Sequence, residues 1–348
     1  MKSKIKNRCG RILLNSHVKS KLLWIYFILI VLPMGYFTIF TFTRVSNVLE
    51  EQTLTVAQKN FEDIYMATER TMSELDSVLE ILTQDELVYQ ISSHNPMDYP
   101  VIQQYIKTQQ ISSSFYNLQK ISSSDNIRIY VDNDFIYSQE NRYIFSLDSI
   151  LESNWYKTLI NSKQNSMWFS PDDFYDQPDY EQKWFSSMRI IYNPDSVLEP
   201  LAILRVDILA DSLNEVFHAT PVTDNGNVVL LKGDIPLLYT GENISTINSH
   251  HKFPQFINSL HDRWEIVNFE HGKSYVRTKE ITPSGWTIAT AIPFDDVFKV
   301  SRSLGSDMLF TMVAVGILAY ILAYAISNSS ILRITTLAQS MKLVKTGD

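Results

Sequence analysis

Two stretches without a charged residue, 22–43 and 308–326, stand apart from the mixed pattern of the rest of the chain. The first offers 22 uncharged positions, and the second 19 before the polar run Ser327-Asn328-Ser329-Ser330. A helical residue rises about 1.5 Å and a bilayer's hydrocarbon core is about 30 Å thick, so about 20 apolar residues suffice to cross it. Neither stretch has a polar face, unlike the amphipathic helices of a soluble core. The pattern predicts two membrane helices, over 22–43 and 307–328. A cleaved signal peptide fits the first stretch poorly: it is longer than an apolar h-region of about 7–15 residues, and no small-residue cleavage site follows.

Between them the patterning is that of a folded soluble region. From Tyr36 to Asn95 there is neither Gly nor Pro, so nothing of that kind halts a helix continuing from the first membrane span. Phe61, Ile64, Tyr65, Met72, Leu75 and Leu79 recur at helical spacing, with Glu62, Asp63, Glu69 and Arg70 between them. Ser92-Ser93-His94-Asn95-Pro96 is the expected stop, and 101–118 reads as a second helix. The period then changes to strands: 126–131, Phe135-Ile136-Tyr137, 167–169, 184–192 and 201–208, with short helices over 153–162 and 211–217, the latter opened by an Asp cap. A second set follows, with strands over 228–231, 237–239, 264–269, 274–281 and 286–292, a helical piece at 256–260, and a helix from Pro293 to Asp307. Pro283-Ser284-Gly285 turns the last hairpin. The expected fold is α+β: a long N-terminal helix carrying two tandem modules, flanked by two transmembrane helices.

Charge orients this arrangement. Residues 1–21 hold seven Lys/Arg and no acidic residue, while residues 44–307 carry a net charge of −17. Short basic flanks stay cytoplasmic, which puts both termini inside the cell and the acidic middle outside. The basic tail lies against a membrane span, so anionic lipid rather than nucleic acid is its expected partner. The single cysteine, Cys9, sits in that tail. The outer region therefore has no disulfides and needs a true hydrophobic core.

The order of elements resembles the double Cache (tandem PAS-like) sensor domains of bacterial transmembrane receptors. The resemblance rests on the unbroken N-terminal helix, the Trp155-Tyr156 pair opening a short helix, and Arg189 in a strand before a hairpin. Gly285-Trp286-Thr287-Ile288-Ala289 just before the second span adds to it. Residues 330–348, from Ser330 to Gly347-Asp348, look like the first helix of a HAMP linker, although Arg333 stands about where such helices often carry Pro. Independently, Ile334, Leu337, Met341 and Val344 are spaced 3, 4 and 3, a seam suited to a parallel dimeric bundle. The implied organisation is a cytoplasmic tail (1–21), a first span (22–43) and an extracytoplasmic sensor domain (44–306). The sensor domain divides into a stalk (44–125), a membrane-distal module (126–220) and a membrane-proximal module (221–300). The second span (307–328) and the start of a HAMP linker (329–348) complete it. By this resemblance the chain is the input half of a two-component sensor histidine kinase acting as a homodimer. It would reach a response regulator only through a kinase region outside this sequence.

The chemistry within the chain fits an input half. The last histidine, His271, is on the outer side, and no two glycines lie close enough to form a phosphate-cradling loop. No nucleophile elbow or zinc-protease motif occurs, and no catalytic residue, cofactor or metal is expected. His250-His251 reads as a solvated turn. The acidic run Asp172, Asp173, Asp176, Asp179, Glu181 lacks calcium-loop spacing and reads as a surface loop. The expected ligand-binding residues are Trp155, Tyr156 and Arg189, which combine apolar walls with an orienting charge. In the amino-acid-binding members of the family an Arg two positions before the Trp-Tyr pair grips the ligand carboxylate, and here that position is Ser153. That departure speaks against an α-amino-acid ligand and leaves a sugar, peptide or other small solute open. A chemoreceptor or cyclase input half, and a membrane-anchored binding protein without signalling, are the alternatives.

Overall fold

A computed structural model describes residues 2–131, 142–175, 183–193, 196–240, 262–269 and 272–345. Helix α1 runs from Lys2 to Thr83 without interruption, carrying Pro33 inside it. It does not continue to the expected stop. Gln84 and Asp85 break it, and Asp85 caps a separate helix α2 (Glu86–Ser93), its carboxylate accepting from the Leu87 and Val88 amides. An Asp side chain competing for backbone donors ends the helix where no Gly or Pro was needed. Helix α3 (Val101–Ile121) follows.

The chain divides into two compact units, Met1–Leu54 with Val297–Asp348, and Thr55–Asp296. The first contains the two helices that, among the described residues, are long and apolar enough to cross a membrane, the N-terminal part of α1 and that of α6 (Phe294–Lys345). They pack closely. Ser46 and Ser301 hydroxyls are 2.7 Å apart, and a Cβ on Gly305 would meet the Phe42 ring at 2.8 Å. Ala319, Ala323 and Ser327, each four residues from the next, are buried while Leu318, Ile321 and Leu322 face outward.

Among its described residues the second unit holds two five-stranded sheets. The first combines β1 (Asn126–Val131), β2 (Ile144–Ser146), β3 (Ser166–Phe169), β4 (Trp184–Asn193) and β5 (Ser196–Leu209) in the order β2-β1-β5-β4-β3. The second combines β6 (Asn227–Lys232), β7 (Ile235–Tyr239), β8 (Glu265–Phe269), β9 (Gly272–Ile281) and β10 (Trp286–Pro293) in the order β7-β6-β10-β9-β8. The two orders are the same, with the last strand of each set in the centre. They differ at one edge, where β2 runs parallel to β1 and β7 antiparallel to β6. Gly285 at φ +67° makes the β9–β10 turn, a conformation that costs a residue with Cβ about 1 kcal/mol or more.

Helix α4 (Asn154–Asn161) covers one face of the first sheet, where Trp155 and Leu159 pack among Phe169, Trp184, Met188, Ile190 and Ile203. Helix α5 (Ala210–His218) starts from Leu209 and has no side-chain cap; Asp211 lies in its first turn rather than at the cap. Strand β2 had no counterpart in the patterning of the sequence, being only three residues long. The strand expected at 135–137 and the helix expected at 256–260 lie outside the described residues.

Candidate functional site

Strand β5 carries the sequence Leu201-Ala202-Ile203-Leu204-Arg205-Val206-Asp207-Ile208-Leu209. Side chains alternate across a sheet, so Ile203, Arg205, Asp207 and Leu209 share a face. Two charges thus enter an otherwise apolar stripe at the centre of the first sheet. Both are buried completely. Arg205 Nε donates to Asp207 Oδ1 at 2.6 Å, Ser186 Oγ on the neighbouring strand donates to the same oxygen at 2.5 Å, and Arg128 Nε lies 3.7 Å from Oδ2. The guanidinium carbon sits 4.2 Å from the centre of the Phe174 ring and 5.9 Å from that of Trp155. Both Nη atoms of Arg205, and Trp155 Nε1, are buried without a hydrogen-bond partner among the described residues.

Such donors are costly. Leaving one unmade forfeits about 1–3 kcal/mol, and more at a charged group. Two arginines and one carboxylate also leave this face net positive inside a strongly acidic region. The arrangement stabilises groups that present acceptor oxygens.

Of the expected site residues, Trp155 and Tyr156 are on this face. Trp155 is 1 % exposed and touches Tyr130, Tyr156, Phe169 and Phe174 at ring distances of 5.8–6.3 Å. Tyr156 is partly buried beside it. Arg189 is elsewhere. It pairs across the sheet with Leu204, while its neighbour Met188 pairs with Arg205 and belongs to the Trp155 cluster. Arg189 therefore points to the opposite face, where it interacts with Asp76 of α1. The arginine beside Trp155 is Arg205, which the sequence reading passed over. Its signal is there to see: two charges at period two inside an apolar strand.

The opposite face meets α1. Ser187 Oγ donates to Asp76 Oδ1 at 2.5 Å, and burial holds the Asp76 carboxyl above its ordinary value. Asp173 of the acidic run is occupied within the chain. It accepts from the Ser170 amide and hydroxyl and from Lys232 Nζ at 2.6–2.8 Å. Asp176, Asp179, Glu181, His250 and His251 lie outside the described residues. Among the described residues no group of three or more His, Cys, Asp or Glu side chains is placed to hold a metal ion.

No protein-family model matches the chain, and no curated protein matches it. Among solved structures it is similar to the ligand-binding domain of Mlp24 with asparagine, at 14 % identity, covering 73 % of this chain and 99 % of that one, with a TM-score of 0.45. It is similar also to the ligand-binding domain of the Campylobacter jejuni chemoreceptor Tlp3 with 4-methylisoleucine, at 16 % identity, 72 % and 94 % coverage and a TM-score of 0.47. The extracellular domain of the putative histidine kinase rpHK1S-Z16 matches at 13 % identity, 74 % and 97 % coverage and a TM-score of 0.44.

Proposed function

We propose that the chain is the sensing portion of a double-pass membrane receptor that takes a small solute at the Arg205 face of the first sheet. The single observation that carries this is a fully buried guanidinium whose two Nη groups have no partner among the described residues, roofed by Trp155 and Phe174. A core built only for stability gains nothing from such a group, because well-packed apolar residues of similar volume are as stable or more so. A solute with acceptor oxygens offsets the cost, and the aromatic rings supply its apolar contacts. Trp155 and Tyr156 keep their proposed roles, with Arg205 in place of Arg189 as the orienting charge.

The rest of the assignment is architectural. The repeated strand order supports a double Cache reading of residues 44–306, and the basic first 21 residues support cytoplasmic termini with the sheets outside. The helical 329–345 segment fits the start of a HAMP linker, an input that a histidine kinase, a chemoreceptor or a cyclase would share.

The test is a thermal-shift screen of the full chain in nanodiscs against carboxylates, sugars and small peptides. A stabilising solute whose shift disappears in Arg205→Gln, with that variant still folded, supports the reading. A solute that stabilises wild type and Arg205→Gln equally overturns it. So does a screen in which none of the three classes shifts the midpoint.

A further inference from the structure

A cleft of about 630 Å³ opens within the second unit, and none of Trp155, Tyr156 and Arg205 lines it. Its size falls inside the about 300–1,000 Å³ of small-molecule sites. The walls come from both sheet systems. Helix α5, which follows β5 of the first sheet, lends Asp211, Asn214 and His218, spaced 3 and 4 residues apart on one face. Leu213 and Phe217 of the same helix go into the core. Strand β7, at the edge of the second sheet, lends Leu238 and Tyr239. Lys183 and Asp172 complete the lining. The Lys183 carbonyl accepts from the Ala210 amide at 2.8 Å, which fixes the start of β4 against the start of α5. Next to Asp172, the Asp173 carboxylate holds Lys232 Nζ of β6 at 2.6 Å, so an ion pair ties the two sides together.

Charges of both signs meet in this cleft without pairing. Among the described residues the side chains of Asp172, Lys183 and Asp211 make no hydrogen bond and no ion pair. All three are exposed, so water answers them when the cleft is empty. His218 adds to the carboxylate side. Its Nδ1 lies 3.0 Å from the Asn214 carbonyl oxygen, which can only accept, so Nδ1 donates and the neutral ring leaves Nε2 as an acceptor. A simple cation entering here is repelled by Lys183, and a simple anion by Asp172 and Asp211. A solute with one charge of each sign is complementary at both ends.

We propose that this cleft is a second binding site, for a dipolar small solute with an ammonium group at one end and an anionic group at the other. The ammonium end takes the carboxylates of Asp172 and Asp211 and the free nitrogen of His218, with the Tyr239 ring as a further cation-binding surface. The anionic end takes Lys183, and the carbon chain between them lies on Leu238. Because α5 and β7 belong to different sheet systems, one bound molecule touches both. The site is separate from the Arg205 face and does not depend on it.

Isothermal titration calorimetry of the full chain in nanodiscs tests this with β-alanine, 4-aminobutyrate and 6-aminohexanoate, which hold the same two charges at increasing separations. Butylamine and butyrate, each with one of the charges, are the controls. At least one of the three dipolar probes binds at least tenfold more tightly than either control. Lys183→Gln weakens that binding at least fivefold, and so does Asp172→Asn combined with Asp211→Asn. These side chains are exposed, so both variants keep the wild-type thermal midpoint. No binding of any dipolar probe, a control that binds as tightly, or binding unchanged in either variant overturns the proposal. So does binding lost in Arg205→Gln but kept in Lys183→Gln, which assigns the solute to the Arg205 face. Failure of the Arg205 reading itself registers in its own screen and leaves these titrations as they are.

Discussion

Ser187 on β4 donates to Asp76 on α1 across 2.5 Å, and the residue before it, Ser186, donates to Asp207 on the other face of the same sheet at the same distance. One peptide unit thus separates the buried polar cluster beside Trp155 from the long helix α1. Burial favours the neutral form of the Asp76 carboxyl, and the Ser187 hydroxyl opposes it. The folded-state value therefore lies above the unfolded one. Its cost is absent at low pH, grows as pH rises through the unfolded value, and is complete above the folded one. Wild type should lose stability relative to Asp76→Asn as pH is raised from about 3 to 7, read from unfolding midpoints of both proteins. Ser187→Ala should cost about 1–3 kcal/mol at neutral pH by removing one hydrogen-bond donor from a buried carboxylate that keeps Arg189 nearby.

Arg205 and Asp207 are worth more together than apart. Removing either leaves the other charged and buried, a loss of about 3–5 kcal/mol. Arg205→Met combined with Asp207→Leu should recover most of that loss, because the pair is replaced by apolar volume. The coupling energy from a double-mutant cycle in denaturant measures it. Solute response should vanish in the double variant even though it folds.

Trp155 serves packing as well as the proposed site. Trp155→Ala removes a side chain that is 1 % exposed within a cluster of aromatic rings, and should cost about 3–5 kcal/mol. Trp155→Phe keeps an aromatic wall and removes the Nε1 donor. It should cost less than half as much stability while still weakening solute binding, the two effects being read from the midpoint with and without solute.

Glu69 ties α1 to the turn of the β9–β10 hairpin. Tyr65 Oη lies 2.6 Å and Thr282 Oγ1 3.1 Å from its Oε1, and these hydrogen bonds, Tyr65 first, hold its carboxyl below the ordinary range. Its contribution is present above the unfolded value and lost as pH falls through the folded one. The advantage of wild type over Glu69→Gln should thus be full at pH 7 and shrink below about pH 4. Parallel acid titrations of the two proteins, followed by circular dichroism, check the sign.

What the sequence made legible was whatever depends on period. The strands over 126–131, 184–192 and 274–281 and the helix over 101–118 are found within a few residues of their expected bounds, since burial on one face writes itself into spacing. The break at Gln84-Asp85 was hidden because Asp85 acts through its side chain, not through a backbone restriction. At the site, Trp155 and Tyr156 were legible as aromatic neighbours. Arg189 and Arg205 both occupy apolar strands, and only the register of β4 against β5 decides which one shares a face with Trp155. Register depends on contacts distant in the chain, which local spacing does not encode.

The shared strand order has a consequence for biogenesis. In each sheet the central position belongs to the strand made last, β5 ending at Leu209 and β10 at Pro293. Until that strand is made, its sheet consists of two separate halves with unsatisfied inner edges. Synthesis must therefore reach Pro293 before the second sheet can close, and the residue after β10 already begins α6. Closure of the second sheet and synthesis of the second long apolar helix thereby follow one another directly.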